Sequence, residues 1–125
     1  MWFCRPSHRL FSSRGYVNLK TVTHLSGQDP GEGTFVAWQG EQNLGVWRLA
    51  KTPKYLVALP CNFMSPGSGQ VHCSGVHINI DLLTSCQYAT AHTVCTFSNG
   101  STQIFRHKDT SAFRATLEKA MRNHK

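Results

Sequence analysis

Between Cys61 and Phe105 the chain has no lysine and no arginine, and all 125 residues include only six acids. The first absence leaves that stretch without a cation to hold a phosphate. The second leaves Asp29, Glu32, Glu41, Asp81, Asp109 and Glu118 scattered, with no local pair to divide general-acid from general-base work. His77 and Asp81 fall on one strand face but stand about 13 Å apart at strand rise, too far for a direct dyad. Gly67, Gly69 and Gly75 match neither a P-loop nor a dinucleotide fingerprint, so no nucleotide cofactor is expected. Pro66-Gly67-Ser68-Gly69 lacks the glycine that precedes the serine by two places in a nucleophile elbow. No apolar run is long enough to cross a bilayer as a helix. Taken together, these absences speak against an enzyme and against a membrane span.

The five cysteines, Cys4, Cys61, Cys73, Cys86 and Cys95, make no dense framework and follow no secretory signal, so reduced thiols in a cytoplasmic protein are expected. Cys95 sits in an apolar strand pattern and reads as a small core residue. Cys61, His72, Cys73 and His77 are the nearest approach to a zinc set. The two cysteines are twelve positions apart, however, and no close Cys-Cys pair nucleates a site, so no metal is expected.

What the chain does have is positive charge. Thirteen Lys and Arg give a net +7 and a pI near 9.5, a balance that favours anionic partners. The charge gathers at the end, where Arg106, Lys108, Arg114, Lys119, Arg122 and Lys125 face only Asp109 and Glu118. A looser group comprises Arg5, Arg9 and Arg14, with Lys51 and Lys54 in the middle. Met1 to Gly15, with three Arg, three Ser and no acid, resembles an organelle-targeting leader. It is read as part of the fold, with organelle targeting as the alternative to a cytoplasmic location.

Alternation of apolar and polar residues predicts strands at Tyr16 to Leu19, Thr34 to Trp38, Leu44 to Leu49, Tyr55 to Leu59, Val76 to Leu82, Thr93 to Phe97 and Thr102 to Arg106. Ser26 to Gly33 reads as a turn-rich loop and Gln39 to Asn43 as a five-residue connection. Ser98-Asn99-Gly100-Ser101 predicts a two-residue type I′ hairpin turn, with Phe97 opposite Thr102, Cys95 opposite Ile104, and Val94 sharing the other face with Phe105. Asp109-Thr110-Ser111 offers caps for a helix from Ala112 to about Asn123, with Phe113, Leu117, Ala120 and Met121 on one stripe.

Tyr16-Val17-Asn18-Leu19 with two following strands ending at Arg48 parallels His77-Ile78-Asn79-Ile80 with two strands ending at Arg106. This suggests a duplicated unit. The expectation is an α+β fold, mainly antiparallel β-sheet built from two related strand-hairpin units and closed by a C-terminal amphipathic helix. Its single domain spans 1–125, divided into a basic segment 1–15, a first unit 16–60, a linker 61–75 exposed as a connection, and a second unit 76–125 carrying the helix.

The duplication sets Asn18 against Asn79 and Arg48 against Arg106. Arg14, Tyr16 to Leu19 and Arg48 also resemble part of a LytTR-type DNA-binding domain. Over that third of the chain, Ser13-Arg14-Gly15 replaces the family's His-Arg-Ser lead-in, and no family is assigned. The resemblance implies that Asn18, Arg48 and Arg14 face DNA. The function expected is a non-enzymatic module that contacts nucleic acid through Asn18, Arg48, Asn79, Arg106, Lys108, Arg114, Lys119 and Arg122. Its alternatives are a protein-interaction or homodimerising module using Val94, Phe105 or the tryptophans, and a small-ligand binder.

Overall fold

The structure, a computed structural model, describes residues 9–12, 15–29, 33–49, 51–65, 69–72 and 76–124. It is mostly antiparallel β-sheet with one C-terminal helix, an α+β fold. Strand β1 (Arg9–Ser12) pairs with β2 (Gly15–Asn18), setting Leu10 opposite Val17. Residues 1–8 and Arg14 lie outside the described residues, so the fate of the leader-like segment is described only for β1. Asn18 ends β2 because its side-chain oxygen accepts from the Lys20 amide (3.1 Å), opening a single 3₁₀ turn over Leu19–Thr21.

A five-stranded sheet follows, whose central strand the sequence conceals. Strand β3 (His24–Asp29) takes in the first half of the stretch Ser26 to Gly33 expected as a loop. It lies between β4 (Thr34–Gln39) and β9 (His77–Asn79), with β5 (Gln42–Arg48) and β6 (Leu56–Ala58) at the edges. Thr23, His24 and Ser26 are polar and fully buried, which a strand tolerates only when its polar groups are paired. Here the Trp38 indole N–H donates to Ser26 Oγ (3.2 Å) and the Gly40 amide donates to Thr23 Oγ1 (2.9 Å). Both partners are more than ten residues away in sequence. The connection between β4 and β5 is also shorter than expected: Gln39 pairs with Gln42, and Gly40 turns the chain with φ of 62°.

Residues 61–72 are more than a connection. Strands β7 (Phe63–Met64) and β8 (Val71–His72) form a short hairpin, and Asn62 bridges to Arg106. Phe63 is only 1% exposed and enters the core. Pro66–Ser68 and Cys73–Gly75 lie outside the described residues. Strand β9 stops after three residues, where the long alternation from Val76 to Leu82 predicted more. Asn79 Oδ1 accepts from the Asp81 amide (3.0 Å), and the Leu82 and Leu83 amides close turns onto Asn79 and Ile80.

A three-stranded sheet, β10 (Leu83–Tyr88), β11 (His92–Phe97) and β12 (Thr102–Arg106), completes the β structure. Its hairpin turn holds three residues, not two. The Gly100 amide donates to Phe97 O, the Phe97 amide to Ser101 O, and Gly100 is left-handed, at φ 88°. Asn99 spends its side-chain oxygen on the Ser101 amide (3.0 Å), so Asn-Gly forms a bulged turn and not a I′ turn. The extra residue shifts the register by one, to Thr93 opposite Phe105, Val94 opposite Ile104 and Cys95 opposite Gln103. Phe105 therefore points inward with Cys95 and Phe97, while Ile104 joins Val94 outside, correcting the expected faces.

The two sheets meet through aromatic rings. His24 stands edge-on to Phe63 (4.6 Å) and Phe105 (5.4 Å), and Trp38 is edge-on to Phe63 (5.5 Å). Helix α1 (Thr110–His124) closes the domain with Phe113 and Leu117 fully buried. Hairpins β4–β5 and β11–β12 are both antiparallel, but the strands expected to open the two units are placed differently: β2, holding Tyr16 to Asn18, pairs with β1, whereas β9, holding His77 to Asn79, lies between β3 and β6. No described helix is long and apolar enough to cross a membrane.

Candidate functional site

Strand β12 runs directly into the basic tail. Arg106 is held there by two backbone bonds with Asn62 (2.7 and 2.8 Å), which leave its side chain exposed. His107 turns inward, its Nε2 2.8 Å from Thr93 Oγ1 and its ring packed on Phe113 (4.6 Å). Burial lowers its pKa. Alternation then throws Lys108 outward. Asp109 caps α1 by accepting the Ala112 amide (3.1 Å), a bond that also sets a negative charge at the helix's positive end.

With Phe113 and Leu117 on the buried stripe, the 3.6-residue repeat places Arg114, Lys119 and Arg122 on the exposed side. Arg114 is partly committed. Its Nε donates to Glu118 (3.0 Å), and its guanidinium lies 5.0 Å from the centre of the Tyr88 ring. Lys108, Lys119 and Arg122 have no ion-pair partner among the described residues. Beyond them, His124 contacts the Asp81 carboxylate and ties the helix end to the turn after β9. In the tail, Lys108, Lys119 and Arg122 are therefore exposed cations that no ion pair among the described residues offsets.

The other expected contacts lie elsewhere. Arg48 is exposed at the end of β5, about 20 Å along that strand from its turn at Glu41. Glu41 in turn shares a cleft of about 420 Å³ with Arg106, Thr102, Gln103, Ile104, Met64, Ser65 and Gly69. Arg48 and Arg106 are thus at different ends of the β4–β5 hairpin. Asn18 is exposed, but Asn79 is fully buried, its amide donating to Val22 O (2.8 Å) while its oxygen takes the Asp81 amide. Both asparagines accept the amide two residues ahead, so their likeness is the local habit of Asn at a strand end. Trp38, Trp47 and Phe105 are buried and offer no ring to a base.

Charge counting passed over a histidine cluster. His24 is fully buried, its Nδ1 2.8 Å from Thr23 Oγ1 and its Nε2 without a hydrogen-bond partner among the described residues. Burial, assisted by nearby His72, pulls its pKa down to about 3, so the ring is neutral at physiological pH. His72 is also lowered by burial; it contacts Ser65 Oγ and stacks on Phe63 (5.0 Å). Among the described residues no three His, Cys, Asp or Glu side chains converge as a metal would need. Cys73, part of the weighed zinc set, lies outside them. No sequence signal marks His24 as buried, because its environment is assembled from β3, β4, β7, β11 and β12.

Compared with known proteins, the chain matches no family model, no curated protein and no solved structure.

Proposed function

We propose that this protein is a small non-enzymatic binding module that grips nucleic acid by its phosphates, with the outward side of α1 as the principal contact. The observation that carries this reading is the set Lys108, just before α1, with Lys119 and Arg122 on it, exposed and without ion-pair partners among the described residues, while the opposite stripe of the helix is buried. Arg106 and Arg114 extend the set, and Asn18 and Arg48 supply separate donors on the first half of the chain. Because Trp38, Trp47 and Phe105 are buried, binding relies on charge more than on base stacking and is tolerant of sequence. The reading of the fold as two related strand-hairpin units and a cytoplasmic location belong to the same proposal. Replacing Lys119 and Arg122 with Gln should weaken binding to a labelled duplex and a labelled single strand at low salt. Equal affinity of that variant and the parent for both probes refutes the α1 assignment.

A second reading is a protein-interaction or homodimer face on the outer side of the three-stranded sheet. Ile104 is 45% exposed beside partly buried Val94, and the paired Met64 and Val71 are each about half exposed. Sedimentation over a concentration series separates the two, since a strict monomer removes the homodimer and leaves the charge-based reading standing.

A further inference from the structure

Cys86 on β10 and Cys95 on β11 are directly opposite each other, and their sulfurs are 3.9 Å apart. The hydrogen-bond alternation of the sheet makes this a close pair. His92 O accepts from the Ala89 amide and the Ser98 amide donates to Leu82 O, so the even-numbered residues of β11 bond toward β10; Phe97, bonded to Ser101, turns the odd-numbered ones toward β12. Cys86 and Cys95 therefore form a non-hydrogen-bonded cross-strand pair, in which α-carbons approach to about 4.5 Å. That spacing lies inside the range a disulfide bridges.

The two thiols are unequal. Cys95 is fully buried, whereas Cys86 is half-buried and lines a cavity of about 340 Å³ with Leu83, Ser85, Tyr88, Glu118, Met121 and Arg122. The bond from Cys95 lowers the Cys86 pKa, and the same bond together with burial raises that of Cys95. One sulfur is thus reachable and ready to ionise while the other keeps its proton behind it. Cys61, also near Cys95, is buried and pushed up to about 12.

We infer that Cys86 and Cys95 form a peroxide-reactive modification site, with Cys86 as the attacking thiol and Cys95 as the resolving one. The Cys86 thiolate attacks a hydroperoxide, forming an S–O bond as the O–O bond breaks and an alcohol or water leaves with a proton. Cys95 sulfur then attacks Cys86 sulfur, the S–O bond breaks, and water departs with the Cys95 proton. Two thiols are oxidised by two electrons to one disulfide, and the hydroperoxide is reduced by the same two. A small-molecule dithiol reverses the step by thiol–disulfide exchange.

Hydrogen peroxide added to the full chain, followed by blocking of free thiols and peptide mapping without reductant, tests this directly. Trypsin leaves Cys61, Cys73, Cys86 and Cys95 in one fragment, because Tyr55 to Phe105 holds no Lys or Arg. Chymotrypsin, cutting after Tyr88, separates the pair. The expected result is a Cys86–Cys95 cross-link lost on dithiothreitol treatment, and in Cys95→Ser a sulfenic acid at Cys86 that dimedone traps. Both thiols remaining free while the peroxide is consumed elsewhere, or Cys61, Cys73 or Cys4 oxidising before Cys86, overturns the assignment. The mapping on the unaltered chain stands even where a variant fails to fold.

Discussion

Lowering the pH from 7 to 5 should destabilise this fold through His24. In the unfolded chain its imidazole has the ordinary value near 6.5 and takes up a proton across that range. In the folded chain the value is about 3, because the ring is sealed among Trp38, Phe63, Phe97 and Phe105 with His72 close by. The unfolded state therefore binds more protons between these limits, so the contribution is fully present above the unfolded value and is lost as pH falls toward the folded one. At pH 5, about 1.5 units below 6.5 and well above 3, the loss is roughly 2 kcal/mol at about 1.36 kcal/mol per unit. The size depends on the unfolded value, and any folded value below about 4 gives the same answer. Urea unfolding at pH 7 and pH 5, for the parent and for His24→Phe, isolates the effect. Any packing cost of the larger ring shifts the variant equally at both pH values, and His72 and His107 titrate in both proteins. The drop between pH 7 and 5 should shrink by roughly 2 kcal/mol in the variant. Equal drops in the two proteins would refute the claim that His24 is buried neutral.

Phe63→Ala should cost about 3–5 kcal/mol, the range for a core phenylalanine, and chemical denaturation measures it. A loss near zero would restore residues 61–75 to an exposed linker. Gly40→Ala should destabilise by more than about 1 kcal/mol, since φ of 62° is left-handed and the added Cβ would stand 2.7 Å from Ser101 Cβ. Adding Ser101→Gly should recover part of that loss, and strict additivity of the two changes would show that the β4–β5 turn does not press on Ser101.

The parts of the fold legible in the sequence are those whose causes are local. Helix α1 could be read because Asp109, the spacing of Phe113 and Leu117, and the Arg114–Glu118 pair all act within one or two turns. Strands β11 and β12 could be read from alternation and Asn-Gly, although the turn's length could not. That length depends on Asn99 capturing the Ser101 amide, which costs one residue of register and moves Phe105 to the inside. Strand β3 stayed hidden because Thr23, His24 and Ser26 look like loop residues until Trp38 and Gly40 arrive from the next hairpin. Strand β10 hid for another reason: a bulge between Leu83 and Ser85 breaks its alternation. In the candidate site the cations of the tail were visible as a count. The burial of Asn79 was not, because it depends on Val22, 57 positions earlier.

The slope of log affinity against log salt, for a labelled duplex, tests the central claim most directly. If Arg106, Lys108, Lys119 and Arg122 each neutralise one phosphate, the slope for the parent chain should be about −3 to −4. The double variant Lys119→Gln, Arg122→Gln should reduce its magnitude by about 2. A slope near zero, or no binding at low salt, would contradict a phosphate-gripping face on α1.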